Sequence, residues 1–207
     1  HVTAPVIAAL KKQGILEVRT ETFLRNPVSI EKCEEAGIRL SPEQRAISEG
    51  VLQDFEALQE GEDIPRVSLI HGITGSGKTE VYIAIIEEIV KRGRQAIMLI
   101  PEISLTYQTL MRFYRHFGDR VSVMNSTLSE SEKSDQFERA RRGEIDVIIG
   151  PRSALFTPFP RIGAIIMDEE HESSYKNESM PKYHTREVAE KIASMQNGVV
   201  VLGSATP

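Results

Sequence analysis

The fold class that the sequence predicts is an α/β lobe, a parallel sheet with helices on both faces, and three observations predict it. From Val67 onward, short apolar runs of strand type alternate with longer segments whose apolar residues recur at helical spacing. Gly72-Ile73-Thr74-Gly75-Ser76-Gly77-Lys78-Thr79 lies between one such strand and one such helix and fits the pattern G-x-x-x-x-G-K-[ST]. A later apolar run ends abruptly in Asp168-Glu169-Glu170-His171, which is how a buried parallel strand delivers polar groups to the rim of a sheet.

Each element has its own local reason. Residues 1–26 read as a separate piece: a short amphipathic helix over 4–13 stopped by Gly14, then apolar and polar residues alternating in strand fashion over 15–23. A helix followed by strands resembles the end of a winged-helix module, and the piece is too small to bury a core of its own. It is expected to be the C-terminal remnant of a winged-helix DNA-binding domain. Asn26-Pro27 opens a linker over 27–37, and the main lobe is expected over 38–207. Ser41 can cap a helix with Pro42 at its first position and Gln44 close behind, running to about Leu58. Beyond it, strands are expected over Val67–His71, 96–100, 121–124, 146–149, 164–167 and 199–203. Helices are expected over Lys78–Lys91, 104–117, 129–142 and 185–195.

Bulk properties narrow the function classes. Among 207 residues, 40% are hydrophobic and 27% charged, values of a globular chain and not of a disordered one. No apolar run is long enough to cross a bilayer and no signal-peptide pattern opens the chain. Cys33 stands alone, so no internal disulfide and no cysteine-held zinc can form, which favours a reducing, cytoplasmic setting. The net charge of −5 argues against a broad positive face for nucleic acid. Contact with nucleic acid would have to be local, through amides, helix ends and a few cations.

The chemistry sits in two stretches. Gly72, Gly75 and Gly77 permit backbone angles that turn successive N–H groups onto phosphate oxygens. Lys78 can place its ammonium between the β- and γ-phosphates, and Thr79 can offer a hydroxyl to Mg2+. In the acidic stretch Asp168 suits the Mg2+ site opposite Thr79, and Glu169 suits the general base that orients and deprotonates the attacking water. His171 has no second His or Cys at ligand spacing, so zinc is improbable, and its place after the acids suits sensing of the γ-phosphate. The basic group Arg139, Arg141 and Arg142 reads as a solvated helix end.

The 72–79 loop, Asp168-Glu169-Glu170-His171 and Gly203-Ser204-Ala205-Thr206-Pro207 resemble motifs I, II and III of the DEAH-type superfamily 2 helicases, whose first motor lobe is RecA-like. Pro101-Glu102-Ile103-Ser104-Leu105-Thr106, Gly150-Pro151-Arg152-Ser153-Ala154-Leu155-Phe156 and His171-Glu172-Ser173-Ser174-Tyr175-Lys176 narrow the resemblance to the PriA (primosomal protein N′) family, bacterial 3′-to-5′ helicases of replication restart.

The resemblance implies an ATP-dependent helicase and assigns roles residue by residue. Gln44 would sit at the adenine. Pro101, Ser104, Thr106, Arg152 and Ser153 would touch the DNA backbone. Residues 172–186 would be the family's aromatic-rich loop, with Tyr175 and Tyr183 stacking on bases. Met180-Pro181 departs from the pattern, since a further aromatic is usual there. His171, Ser204 and Thr206 would link hydrolysis to strand movement. The implied partners are single-stranded and forked DNA, with primosome and single-strand-binding proteins around the whole protein and no membrane. The implied cofactors are ATP and Mg2+, with zinc only in a downstream region. A second RecA-like lobe, also downstream, would close over ATP and supply an arginine finger. Two other readings stand beside this one. A triphosphatase of another class would not need 203–207 after the acids. A DNA-binding module without catalysis would survive Lys78→Ala.

Overall fold

The computed structural model describes residues 4–16, 37–73 and 75–205. The expected strand over 15–23 and the linker over 27–37 fall almost wholly outside these residues, as do Thr74, Thr206 and Pro207. The first helix, α1, spans Ala4–Lys12.

The main lobe begins with α2, Pro42–Glu60. Ser41 accepts from the N–H of Gln44 while the Gln44 side chain accepts from the N–H of Ser41, a reciprocal cap that satisfies two otherwise orphaned amides. Gly61 ends the helix in the left-handed conformation, at φ 86°. Then follow β1 (Val67–His71), α3 (Lys78–Lys91), β2 (Gln95–Leu99), α4 (Tyr107–Phe117), β3 (Val121–Val123), α5 (Glu130–Arg141), β4 (Val147–Gly150), β5 (Ile162–Met167), a short ribbon of β6 (Lys176–Asn177) and β7 (Tyr183–His184), α6 (Thr185–Gln196) and β8 (Val199–Ser204).

Six strands form one sheet in the order β1-β8-β5-β2-β4-β3, and every pairing is parallel. The crossover helices that parallel pairing demands cover both faces. On one face α2, α3 and α4 bury Phe55, Tyr82, Ile86 and Phe113 against Met98 and Ile166. On the other, α5 and α6 close over Ile97, Ile148, Ile165 and Met167. Each such side chain contributes about 1.5–3 kcal/mol on leaving water. All six residues of β5 are buried, so neither face of that strand is free to carry polar side chains until it ends at Asp168.

Strand ends lie within one or two residues of expectation. Three departures have physical reasons. The helix expected from Ser104 begins at Tyr107, because residues Glu102–Ser104 form a 3-10 turn and Thr106 is the cap, accepting from the N–H of Thr109 at 3.2 Å. Residues 172–186 are not all loop: Lys176 pairs with His184 and Asn177 with Tyr183, antiparallel. Arg139 is not solvated. It is 6% exposed and donates to the Gln136 side chain and the Asp119 carbonyl.

Candidate functional site

The glycine-rich loop leaves β1 at the sheet rim, where the N–H of Gly72 donates to the carbonyl of Ser204 at 3.0 Å. Gly75 and Gly77 hold φ of 82° and 84°, angles that cost a side-chain-bearing residue about 1 kcal/mol or more. A Cβ on Gly72 would stand 2.6 Å from Ser76 Oγ, and one on Gly77 would overlap Gln44 Nε2. Gln44 therefore lies directly on the loop, and it donates to the Ser76 carbonyl at 3.0 Å. Gly77 precedes the first turn of α3, whose free N–H groups and positive end face the loop.

Lys78 opens α3 and folds back under the loop. Its Nζ donates to the Gly72 carbonyl at 2.6 Å and lies 3.9 Å from Glu169 Oε1, with the side chain only 9% exposed. Thr79 shares a helix face with Tyr82, three residues on. Tyr82 is fully buried, and its hydroxyl donates to Asp168 Oδ1 at 3.0 Å. The Thr79 side of α3 thus meets the end of β5.

Asp168 is tied from several sides. Its N–H donates to the Leu99 carbonyl at 2.9 Å, and its own carbonyl accepts from Tyr175 Oη at 2.8 Å. Burial pushes its carboxyl above the usual carboxylate range; the Tyr82 hydroxyl and the Lys78 charge oppose this, while the Glu169 charge adds to it. Burial, and then the charge of Asp168, push the Tyr82 hydroxyl upward too, so it is a donor and not a phenolate. Glu169 occupies the left-handed region at φ 48°, a strained position for a residue with a Cβ. The N–H of Glu170 reaches the Gly203 carbonyl at 2.9 Å. His171 is exposed, with Nδ1 3.8 Å from Glu169 Oε2. Ser204 is 4% exposed at the end of β8. The three stretches 72–79, 168–171 and 203–205 are thus laced by main-chain hydrogen bonds.

A nucleoside triphosphate with a divalent metal fits these residues. The loop is a cradle that a Cβ at Gly72 or Gly77 would fill, and among the described residues the Lys78 ammonium meets the Gly72 carbonyl, Glu169 at 3.9 Å and the charge of Asp168. Among the described residues no three His, Cys, Asp or Glu side chains gather into a metal cage. A hard cation held through one or two protein groups plus phosphate oxygens needs no such cage.

Further along the same rim, the ends of β2, β4 and β3 form a second zone. Pro101 is buried, Ser104 is half-buried, and Thr106 is exposed but committed to capping α4. Arg152 donates to the carbonyls of Ser174 and Lys176 at 3.0 and 2.9 Å, and Ser153 is exposed. A cleft of about 450 Å³ lies between these elements, lined in part by Glu102, Asn125, Lys133, Arg152 and Ser153. Tyr175 requires a correction. It is 1% exposed, with its ring in the core and its hydroxyl on Asp168, so it has no face to offer a base. Tyr183 is half-buried and meets the exposed ring of Phe156 edge-on at 5.5 Å. Tyr82 and Phe156 lie outside the residues expected at the site. Helical spacing from Thr79 signals the first, and the second sits inside a stretch already singled out.

Residues 37–207 match the family model described as Type III restriction enzyme, res subunit. The chain is 44% identical over 206 residues to the replication restart protein PriA of Bacillus subtilis, covering 99% of this chain and 25% of that protein. It is 49% identical over 141 residues to PriA of Haemophilus influenzae, covering 68% and 19% respectively. The chain therefore spans about a quarter or less of the curated relatives it matches. Among solved structures, RecG bound to a three-way DNA junction superposes with a TM-score of 0.62 at 24% identity, over 83% of this chain and 22% of that one, and shares the fold. The type ISP restriction-modification enzyme LlaBIII bound to DNA does so with a TM-score of 0.54 at 21% identity, over 82% and 13%. With this rim geometry and these matches, the chain belongs to the family described as Type III restriction enzyme, res subunit, as a RecA-like first motor lobe of the superfamily 2 helicase type, similar to PriA.

Proposed function

We propose that this chain is the first motor lobe, residues 38–207, of an ATP-dependent 3′-to-5′ DNA helicase of replication restart, with a winged-helix remnant ahead of it. The observation that carries the proposal is the meeting of Lys78, Asp168, Glu169 and Gly203-Ser204 at the ends of three neighbouring strands, in a chain whose relatives are PriA proteins. Lys78 would exchange the Gly72 carbonyl for the β- and γ-phosphate oxygens, and the free N–H groups at the start of α3 would turn onto the same oxygens. Gln44, seated on Ser76, reads the adenine. Thr79 and Asp168 would hold Mg2+, which would supply charge neutralisation at the phosphates. Glu169 orients the attacking water and takes its proton. His171, Ser204 and Thr206 carry the state of the site to the strand-binding zone, where Ser104, Thr106, Arg152, Ser153 and Tyr183 face single-stranded or forked DNA; Pro101, being buried, shapes that rim without touching the strand. Arg152 acts there partly by shaping the 173–177 turn, since its head group already binds two carbonyls of it.

The test uses the intact protein. Lys78→Ala and Glu169→Gln should each abolish DNA-stimulated ATP turnover and unwinding while fork affinity, followed by fluorescence anisotropy, stays nearly intact. Unwinding that survived Glu169→Gln would remove that residue from the role of base. By itself the 207-residue chain is expected to bind ATP weakly and turn it over negligibly, because the proposed motor needs a second lobe to close over the nucleotide and supply an arginine finger.

A further inference from the structure

We infer that Tyr82 is a positioning residue for the metal-holding carboxylate, and that Gly203 is glycine in order to admit its hydroxyl. The inference rests on the proposed role of Asp168. Tyr82 lies in the second turn of α3 with no solvent exposure, and its single polar atom is aimed at Asp168 Oδ1, 3.0 Å away. A buried tyrosine in an apolar core often finds any convenient carbonyl. Here the partner is the carboxylate at the end of β5, and a third element yields space for the contact. A Cβ on Gly203 would overlap the Tyr82 hydroxyl and stand 3.0 Å from Asp168 Oδ1. Gly203 and its neighbours pair with β1 and β5, so β8 cannot shift to relieve that overlap without breaking its register.

The consequence is rotational. The N–H of Glu169 also supports the carboxylate, but a donor on Oδ1 is what fixes the plane of the group about its last bond. Tyr175 fixes the main chain of the same residue from the opposite face of the sheet. Asp168 is therefore held by two buried tyrosines, one through its carboxylate and one through its carbonyl. Partners of this kind orient metal ligands before the metal arrives, and losing one typically costs 10–100-fold in metal affinity.

The experiment measures Mn2+ affinity, by electron paramagnetic resonance in the presence of ADP, on the full-length protein. Tyr82→Phe is expected to weaken Mn2+ binding about 10-fold while metal-free affinity for a fluorescent ADP stays within about twofold, as expected of a group that acts only on the metal ligand. Placing 4-aminophenylalanine at position 82 restores a donor in the same volume and is expected to recover most of the loss. If Tyr82→Phe binds Mn2+ as tightly as the unaltered protein, the inference is overturned. The 4-aminophenylalanine variant decides the matter if Tyr82→Phe also loses metal-free ADP: near-normal Mn2+ binding supports a donor role, and binding as weak as that of the phenylalanine form refutes it. Asp168→Asn separates the two layers. If it leaves Mn2+ affinity unchanged, the proposed metal site falls and the inference with it; if it abolishes binding while Tyr82→Phe does nothing, the site stands and only the inference fails.

Discussion

At Glu169 the chain accepts backbone strain beside a buried lysine. A φ of 48° turns the side chain back from the strand direction, so that its carboxylate lies 3.9 Å from Lys78. Glycine would adopt that angle freely, whereas alanine would keep the strain and lose the carboxylate. Glu169→Gly is therefore expected to be more stable than Glu169→Ala by about 1 kcal/mol in denaturant melts, with both inactive. Equal stability of the two would show that the angle carries no cost. Gly203→Ala tests the neighbouring contact. Overpacking against the Tyr82 hydroxyl should cost about 1–3 kcal/mol, and a variant that melts like the unaltered protein would show that the space is slack.

At the scale of single elements, the most informative are those that join the glycine-loop end of the rim to the ends of β2, β4 and β3. The helix α4 is capped by Thr106 and not by Ser104, because the 3-10 turn at Glu102–Ser104 uses up three residues first. Thr106→Ala should destabilise the lobe by about 1 kcal/mol, while Ser104→Ala should cost only a small fraction of that. A reversal of the two, read from thermal melts, would put the cap elsewhere. The turn at 173–175 is held by Arg152 from outside and by Tyr175 from inside, with Thr185 Oγ1 donating to the Tyr175 carbonyl at 2.6 Å. Arg152→Ala should raise amide hydrogen exchange over 173–177 about tenfold, the effect of losing a charge-assisted bond worth about 1.5 kcal/mol. Unchanged exchange would mean that the inner contacts suffice.

Across the described molecule, sheet order divides one rim into two halves. The ends of β1, β8 and β5 carry the glycine loop, Ser204 and Asp168; the ends of β2, β4 and β3 carry Pro101, Pro151 and Asn125. The two halves meet between β5 and β2, where the N–H of Asp168 donates to the carbonyl of Leu99. The described residues that meet the loop, Gln44 of α2 and Ser204 of β8, both belong to this one lobe. The purified 207-residue chain is accordingly expected to show DNA-stimulated ATP turnover lower by three or more orders of magnitude than the intact protein, on the order of what an arginine finger contributes. Equal rates per molecule would show that this lobe alone completes the site.

The alternation of strand and helix, the glycine loop and the acids after β5 were legible in the residues themselves, because hydrophobic period and turn chemistry are local properties. The cap at Ser41 and the stop at Gly61 likewise depend on neighbours within a few positions. Tertiary structure alone decided what the tyrosines do. Tyr175 and Tyr183 have similar surroundings in the chain, yet one is sealed into the core against Asp168 and the other stands half-exposed against Phe156. Arg139 was likewise claimed by Gln136 and Asp119 once α5 packed. Burial depends on which distant strands lie side by side, and the order β1-β8-β5-β2 brings residues 82, 168 and 203 together across more than a hundred positions of chain. No spacing pattern in the sequence encodes that meeting, since it arises from sheet pairing and not from local propensity.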